Sequence, residues 1–129
     1  MTAKIECFQE IANAPKAVGP YSPAVKVGNM YFLSGQVGLN PETGTLIGAD
    51  ITSQTEQVLA NLKAVLAGLG LGFKNVAKST IFLTDMANFQ TVNGLYSTAL
   101  GDHKPARSTI QVSALPLGAI VEIEMIAVS

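Results

Sequence analysis

Between residues 53 and 69 the side chains Val58, Leu59, Leu62, Val65, Leu66 and Leu69 return at three- and four-residue spacing. That is the period of an α-helix with one buried stripe, and it limits the fold more than any other feature of the chain. Ser53 with Glu56 three residues on has the form of a capping box at its start. Gly68, Gly70 and Gly72 supply the stop. One other stretch repeats the pattern: Asp85 is placed to cap a helix reaching about Leu100, with Phe89, Val92, Tyr96 and Leu100 in one stripe. The remaining apolar residues fall in short runs bounded by Gly, Pro and Asn, at 5–8, 24–27, 30–33, 76–83, 107–113 and 121–128, and these read as strands. Gly28-Asn29 joins the second and third of them as a hairpin turn, while 38–50, with Pro41, Gly44 and Gly48, is a loop. The order β-β-β-α-β-α-β-β predicts an α+β fold, a six-stranded mixed sheet in a single domain over residues 1–129. Two helices are too few for both faces of such a sheet. They are expected on one face, with the other face covered by neighbouring subunits.

Composition points the same way. Only 13% of residues are charged and 48% are hydrophobic, against a usual charged share of about 25%, which favours burial of surface against another chain. The net charge of -1 supplies no basic stripe for a phosphate backbone, which argues against a nucleic-acid partner. A single cysteine, Cys7, forbids an intrachain disulfide and suits a reducing compartment; with no evident activator it reads as an inert small hydrophobe. Met1 to Glu10 has the pattern of neither a secretory signal nor a transit peptide, and no apolar run is long enough for a membrane span, so the expected location is cytoplasmic. The lone His103 has no cluster of partners for a metal.

Five places have the residue types for chemistry. In Pro105-Ala106-Arg107-Ser108-Thr109 the proline stiffens the approach to a strand and Arg107 projects from its start. A guanidinium fork there can grip a carboxylate bidentately, although the tripeptide alone fits a surface ion pair more readily. Glu122 and Glu124 share one strand face with Ile120, Ile126 and Val128, opposite Val121, Ile123, Met125 and Ala127. A carboxylate among apolar neighbours needs a partner or a raised pKa; Glu124 reads as solvated and Glu122 is left open. Asn93 lies on or beside the second helix's apolar stripe, where a buried amide must find partners, in a nearby loop or in a substrate. Tyr21, in the rigid Gly19–Pro23 loop, is either a loop anchor or a pocket wall. Ser34-Gly35-Gln36 closes a strand with a glycine that allows close approach to the backbone. The glycines at 68, 70 and 72 follow a helix instead of opening one, and form no phosphate loop.

If the last two strands form a hairpin about Pro116, Arg107 lies opposite the region of Ala127. Glu122 is then five residues away, roughly 16 Å along the strand. A site using both would be built between subunits.

Taken in order, Gly19-Pro20-Tyr21-Ser22, Ser34-Gly35-Gln36, Asn40-Pro41-Glu42-Thr43-Gly44, Val92-Asn93, Pro105-Ala106-Arg107-Ser108 and Val121-Glu122-Ile123-Glu124 form a series that resembles the Rid family. These are the reactive-intermediate (enamine/imine) deaminases, also known as endoribonuclease L-PSP or translation inhibitors. The resemblance runs from about Ile11 to Val128. It implies a chorismate mutase-like fold, a homotrimer and three sites in the clefts between subunits. It implies hydrolysis of 2-imino acids, formed from enamines such as 2-aminoacrylate, to 2-keto acids and ammonia, with no cofactor or metal required. Arg107 then holds the substrate carboxylate and Glu122 holds or activates water. Positions matching Tyr21, Ser34 and Asn93 line or support the pocket in the family; Gly35 and Thr109 join them here as candidate binding residues, with backbone near Thr109 expected to polarise the imine. Thr109 stands where many members have cysteine, Pro23 where glutamine is common, and 94–104 lacks an aromatic pair often found there. A non-catalytic binder of small 2-keto acids, or an endoribonuclease, are the competing readings.

Overall fold

A computed structural model describes residues 4–129. Its elements are β1 (Ile5–Phe8), β2 (Ala24–Val27), β3 (Met30–Gln36), α1 (Ile51–Gly68), β4 (Val76–Leu83), α2 (Phe89–Leu100), β5 (Ala106–Gln111) and β6 (Val121–Val128). The six strands make one mixed sheet in the order β1-β2-β3-β6-β4-β5. All neighbours are antiparallel except β4 and β5, which run parallel. The β2–β3 turn at Gly28-Asn29 is as expected, and Gly28 has φ of +62°, a conformation that costs glycine little.

Both helices lie on one face. Along β6, Val121, Ile123, Met125 and Ala127 are buried beneath them. They join Tyr31 and Leu33 of β3, Ile81 and Leu83 of β4, and Val58, Leu62, Val65 and Leu66 of α1 in one core. Each Val, Leu, Ile or Met side chain among them contributes about 1.5–3 kcal/mol relative to leaving it in water. Among the described residues the opposite face has no helix over it. Register places Ile5, Val27, Met30 and Val128 in one cross-strand row there, and Ile110, Phe82 and Glu122 in another. Ile5 is 64% exposed, Ile110 47% and Phe32 41%.

The hairpin between the last two strands does not form. β6 enters the middle of the sheet between β3 and β4, and β5 is left at the edge, paired with β4. Burial decides this: one whole face of β6 is apolar and needs flanking strands as well as a helical cover, whereas β5 keeps exposed residues along most of its length. A helix between β4 and β5 is also the ordinary link for a parallel pair. Two helix starts move as well. Asp50, not Ser53, caps α1, its carboxylate accepting the Ser53 N–H at 2.9 Å. Asp85 caps a short 3₁₀ turn, Met86–Asn88, that leads into α2. β3 runs on to Gln36, so Ser34 and Gly35 lie inside it, at a register shift between Leu33 and Gln36.

Buried amides on α1 hold the β3–α1 loop. Asn61 Nδ2 donates to Leu39 O at 2.9 Å, and Gln54 Nε2 donates to Gly48 O at 2.9 Å. Gln54 Oε1 accepts the Ile120 N–H at 3.0 Å, which fixes the start of β6 just ahead of Glu122.

Candidate functional site

The candidate residues fall into two groups on opposite faces of the sheet. The first centres on Arg107. Parallel pairing sets it directly across from Ser79 of β4, on the helix side of the edge strand and beneath α2. Its Nη1 donates to Asn93 Oδ1 at 2.8 Å. Its guanidinium carbon lies 5.2 Å from the Tyr96 ring centroid and 5.7 Å from that of Phe89, within cation–π range. Among the described residues no carboxylate comes within the 4.0 Å of an ion pair with it. The cation is thus held by neutral groups, and the rest of its fork is open to an anion. Tyr96 in turn donates its hydroxyl to the buried Ser79 Oγ at 2.8 Å. Burial pushes the Tyr96 phenol pKa up, against the smaller opposing pulls of that hydrogen bond and of the Arg107 charge.

A cleft of about 390 Å³ opens beside this group, with Asn93, Tyr96, Leu100, His103, Lys104 and Arg107 in its walls. His103 Nε2 bonds the Val76 carbonyl at 2.7 Å and so ties the α2–β5 loop to β4. Thr109, two residues beyond Arg107 on the same strand face, has a buried hydroxyl with no hydrogen-bond partner among the described residues.

The second group centres on Glu122, half-buried on the face without helices. Its carboxylate lies over the backbone of Gly35. A Cβ on Gly35 would overlap Glu122 Oε2 and come within 2.8 Å of its Cδ. The glycine therefore makes room for a side chain of the protein itself, where the sequence suggested room for a ligand. Burial raises the Glu122 pKa above 4.5, and the neighbouring Glu124 charge raises it further. Glu124 is exposed, as a solvated carboxylate should be. Ser34, next to Gly35, donates its hydroxyl to Ser22 O at 2.6 Å, and its N–H bonds Pro23 O at 2.9 Å. These bonds fasten the proline loop to β3. Tyr21, in that loop, is 49% exposed and borders a cleft of about 430 Å³ with Gln9, Glu10 and Gly19.

The fold thus joins Asn93 to Arg107, and Gly35, the chain neighbour of Ser34, to Glu122, without joining the two groups. Phe82 pairs with both Ile110 and Glu122, so Glu122 is two strands away from β5 and three residues along it from Arg107. That is about 14 Å between backbones, with the side chains on opposite faces. The separation expected from the sequence holds, although the pairing from which it was reasoned does not. Tyr96, Phe89 and Ser79 were not singled out in the sequence. Tyr96 and Phe89 sat within the apolar stripe, and the one available signal was a serine on a strand whose inward neighbours are aliphatic. Among the described residues no group of three or more His, Cys, Asp and Glu could hold a metal ion, and no helix is long and apolar enough to cross a membrane.

The chain matches known proteins over nearly its whole length. The family model described as "Endoribonuclease L-PSP" matches residues 11–129. Protein DfrA of Myxococcus xanthus is 54% identical over 118 residues, covering 90% of each chain. The 2-iminobutanoate/2-iminopropanoate deaminase of Mus musculus is 48% identical over 128 residues, covering 99% of this chain and 95% of its own. A crystal structure of a protein of the Rid family from Yersinia pestis superposes with a TM-score of 0.93 at 46% identity, covering 98% of this chain and 100% of its own. With the fold, the sequence series and these relatives in agreement, the chain belongs to the Rid family, the group to which the endoribonuclease L-PSP description is attached.

Proposed function

We propose that this protein is an enamine/imine deaminase that hydrolyses small 2-imino acids to 2-keto acids and ammonia. The observation behind this reading is Arg107 itself: a half-buried cation on a rigid strand, oriented by an amide and two rings and left without an acid. The activity named for the Mus musculus relative takes a small carboxylate of the kind such a fork would grip.

The site is completed between copies in a homotrimer. The Arg107 group of one subunit faces the Glu122 group of the next, and the apolar rows of the uncovered sheet face supply the contact. Arg107 fixes the substrate carboxylate and thereby aims C2 at a water held by Glu122. Such alignment can supply several kcal/mol of the barrier. Glu122 takes a proton as the water oxygen bonds to C2 and the C=N bond becomes single. It gives that proton to the nitrogen to leave a carbinolamine, and then moves the hydroxyl proton to the nitrogen as the C–N bond breaks, so that ammonia leaves and the carbonyl of the keto acid forms. A carboxyl whose pKa is raised by burial suits both transfers better than a solvated one. Thr109, with its free hydroxyl, and the backbone beside it lie on the Arg107 side to polarise the imine. Tyr21 and Ser34 wall the Glu122 side.

The test is to generate 2-aminoacrylate enzymatically in the presence of the protein and follow keto-acid and ammonia release; equality with buffer rejects catalysis. Binding of 2-oxobutyrate without acceleration would identify a non-catalytic keto-acid binder. The shared site has its own test. Arg107→Ala and Glu122→Gln are each expected to be inactive alone. Unfolded and refolded together at equal amounts, they should recover about a quarter of wild-type activity, because random assembly pairs an intact arginine with an intact glutamate at that frequency. No recovery would place both groups in one chain's own site. RNA cleavage, the activity in the family's description, finds less support in eight basic against nine acidic residues and one histidine. RNase activity that survives repurification and vanishes in Arg107→Ala would restore it.

A further inference from the structure

We infer that Tyr96, through its hydrogen bond to Ser79, is the positioning residue that sets where the Arg107 guanidinium stands. Ser79 is fully buried on the helix face of β4, where its inward companions are Ile81 and Leu83. A hydroxyl among aliphatic side chains is unfavourable unless it is bonded, and its partner here is the Tyr96 hydroxyl at 2.8 Å. The same Ser79 is the residue registered directly across from Arg107 in the β4–β5 pair. The bond therefore pins α2 at the rung of the sheet that bears the arginine. Among the described residues it is the one side-chain hydrogen bond from α2 to β4.

The geometry of α2 makes this placement matter. Phe89, Asn93 and Tyr96 are spaced four and three residues apart, so they lie on one helix face, and all three touch Arg107. A shift or rotation of α2 moves every support of the guanidinium together. β5 cannot correct such a shift, because it is an edge strand with β4 on one side only. An acidic side chain could hold the cation more strongly, but it would compete with an incoming carboxylate. Rings, an amide oxygen and a hydroxyl tether hold the cation and leave its charge unspent.

The placement itself can be tested without any ligand. In isotope-labelled protein the Arg107 Nε–Hε signal should be displaced by the ring currents of Tyr96 and Phe89. Tyr96→Leu should remove most of the displacement. Tyr96→Phe keeps the ring and loses the tether, and Ser79→Ala loses the acceptor. The double variant Tyr96→Phe/Ser79→Ala loses both hydroxyls and leaves no orphaned polar group, so it separates loss of the tether from general destabilisation. In all three the signal should move and exchange faster with water. A double variant with the wild-type Arg107 signal would overturn the inference, because packing alone would then hold the ring.

A second measurement rests on the carboxylate reading proposed above. The double variant should bind 2-oxobutyrate about tenfold more weakly and show KM raised by a similar factor, with a smaller fall in kcat because Arg107 also aims C2 at the water. Wild-type protein that fails to bind 2-oxobutyrate would remove the carboxylate reading, and the Arg107 signal would still decide the role of Tyr96. Unchanged affinity in a double variant whose Arg107 signal has moved would overturn the claim that this placement governs ligand binding.

Discussion

Replacing Gly35 with alanine tests the Glu122 half of the site with a single methyl group. The glycine has no left-handed backbone requirement, so alanine should fit the strand without strain. The new Cβ would instead meet the carboxylate: it would overlap Glu122 Oε2 and lie 2.8 Å from Cδ, where ordinary van der Waals contact begins at 3.4 Å. The carboxyl must therefore retreat by at least about 0.6 Å, and by more at the oxygen, or about 1 Å overall. A misplacement of about 1 Å in a reacting group can cost on the order of 100-fold. The obstructing atoms belong to the free end of a flexible side chain, so the retreat need not disturb β3 or β6. Gly35→Ala is expected to lower kcat by about two orders of magnitude. Its thermal midpoint and 2-oxobutyrate affinity should stay close to wild type, because Arg107 lies on the other face. The assay is ammonia release from enzymatically generated 2-aminoacrylate, paired with a thermal melt and a ligand titration. Wild-type kcat in Gly35→Ala would refute a chemical role for Glu122 at its observed position. A loss of activity matched by a large fall in melting temperature would refute the claim that the clash is local.

Arg107→Lys should keep the fold and lose most activity, at least tenfold in kcat/KM, because an ammonium cannot reproduce the planar fork or stack between two rings; near-normal turnover would disprove carboxylate clamping. The acid limb of kcat/KM should have its midpoint above the ordinary glutamate value of 4.5, because burial raises the Glu122 pKa, and a midpoint at or below 4.5 would contradict that environment. The same shift affects stability with a definite sign. The folded chain binds the Glu122 proton more tightly than the unfolded chain, so this group makes stability fall as pH rises from about 4.5 through the raised pKa. Glu122→Gln should flatten that segment of the stability–pH profile and melt higher than wild type at neutral pH, and unfolding curves across the window would detect an unchanged slope. Asn93→Ala should raise KM more than it lowers kcat, since the amide orients Arg107; an unchanged KM would show that the rings suffice.

The sequence made the local elements readable because their signals are local. The α1 stripe, the β4 and β6 runs and the Gly28-Asn29 turn each follow from periodicity or turn chemistry within a few residues. Sheet order does not. Whether β6 pairs with its sequence neighbour or inserts between β3 and β4 depends on how much apolar surface each strand must hide. That comparison needs the whole sheet. Two clues were nevertheless present: the unbroken Val121, Ile123, Met125, Ala127 face of β6, and a helix linking β4 to β5. Arg107 and Asn93 were legible as separate candidates, but not as partners, since they meet only when α2 folds across β5. Gly35 was read as a place where backbone approaches a ligand. The structure puts the Glu122 carboxylate there, a contact made across strands that no local pattern encodes.

Placing the two ionisable groups on opposite faces also has a chemical consequence. An arginine within about 4–6 Å of a carboxylate lowers its pKa by about 1–3 units. Side by side in one chain, Arg107 and Glu122 would form an ion pair that weakens the base and occupies the fork. Across the sheet from each other, neither satisfies the other: Glu122 stays raised by burial, and Arg107 keeps neutral supports. In the proposed assembly the two charges approach only where copies meet, and there the substrate's own carboxylate can take the guanidinium. The substrate then supplies the anion that the arginine lacks, and the glutamate remains free to exchange protons with water and nitrogen. On this view an arginine without an acid and a glutamate without a base are two halves of one device. Engineering a carboxylate beside Arg107, for instance Asn93→Asp, should silence it. The expected signature is weaker 2-oxobutyrate binding that recovers as pH falls and the new acid takes up a proton. Binding that stays tight at neutral pH would mean that an intramolecular acid does not compete for the fork.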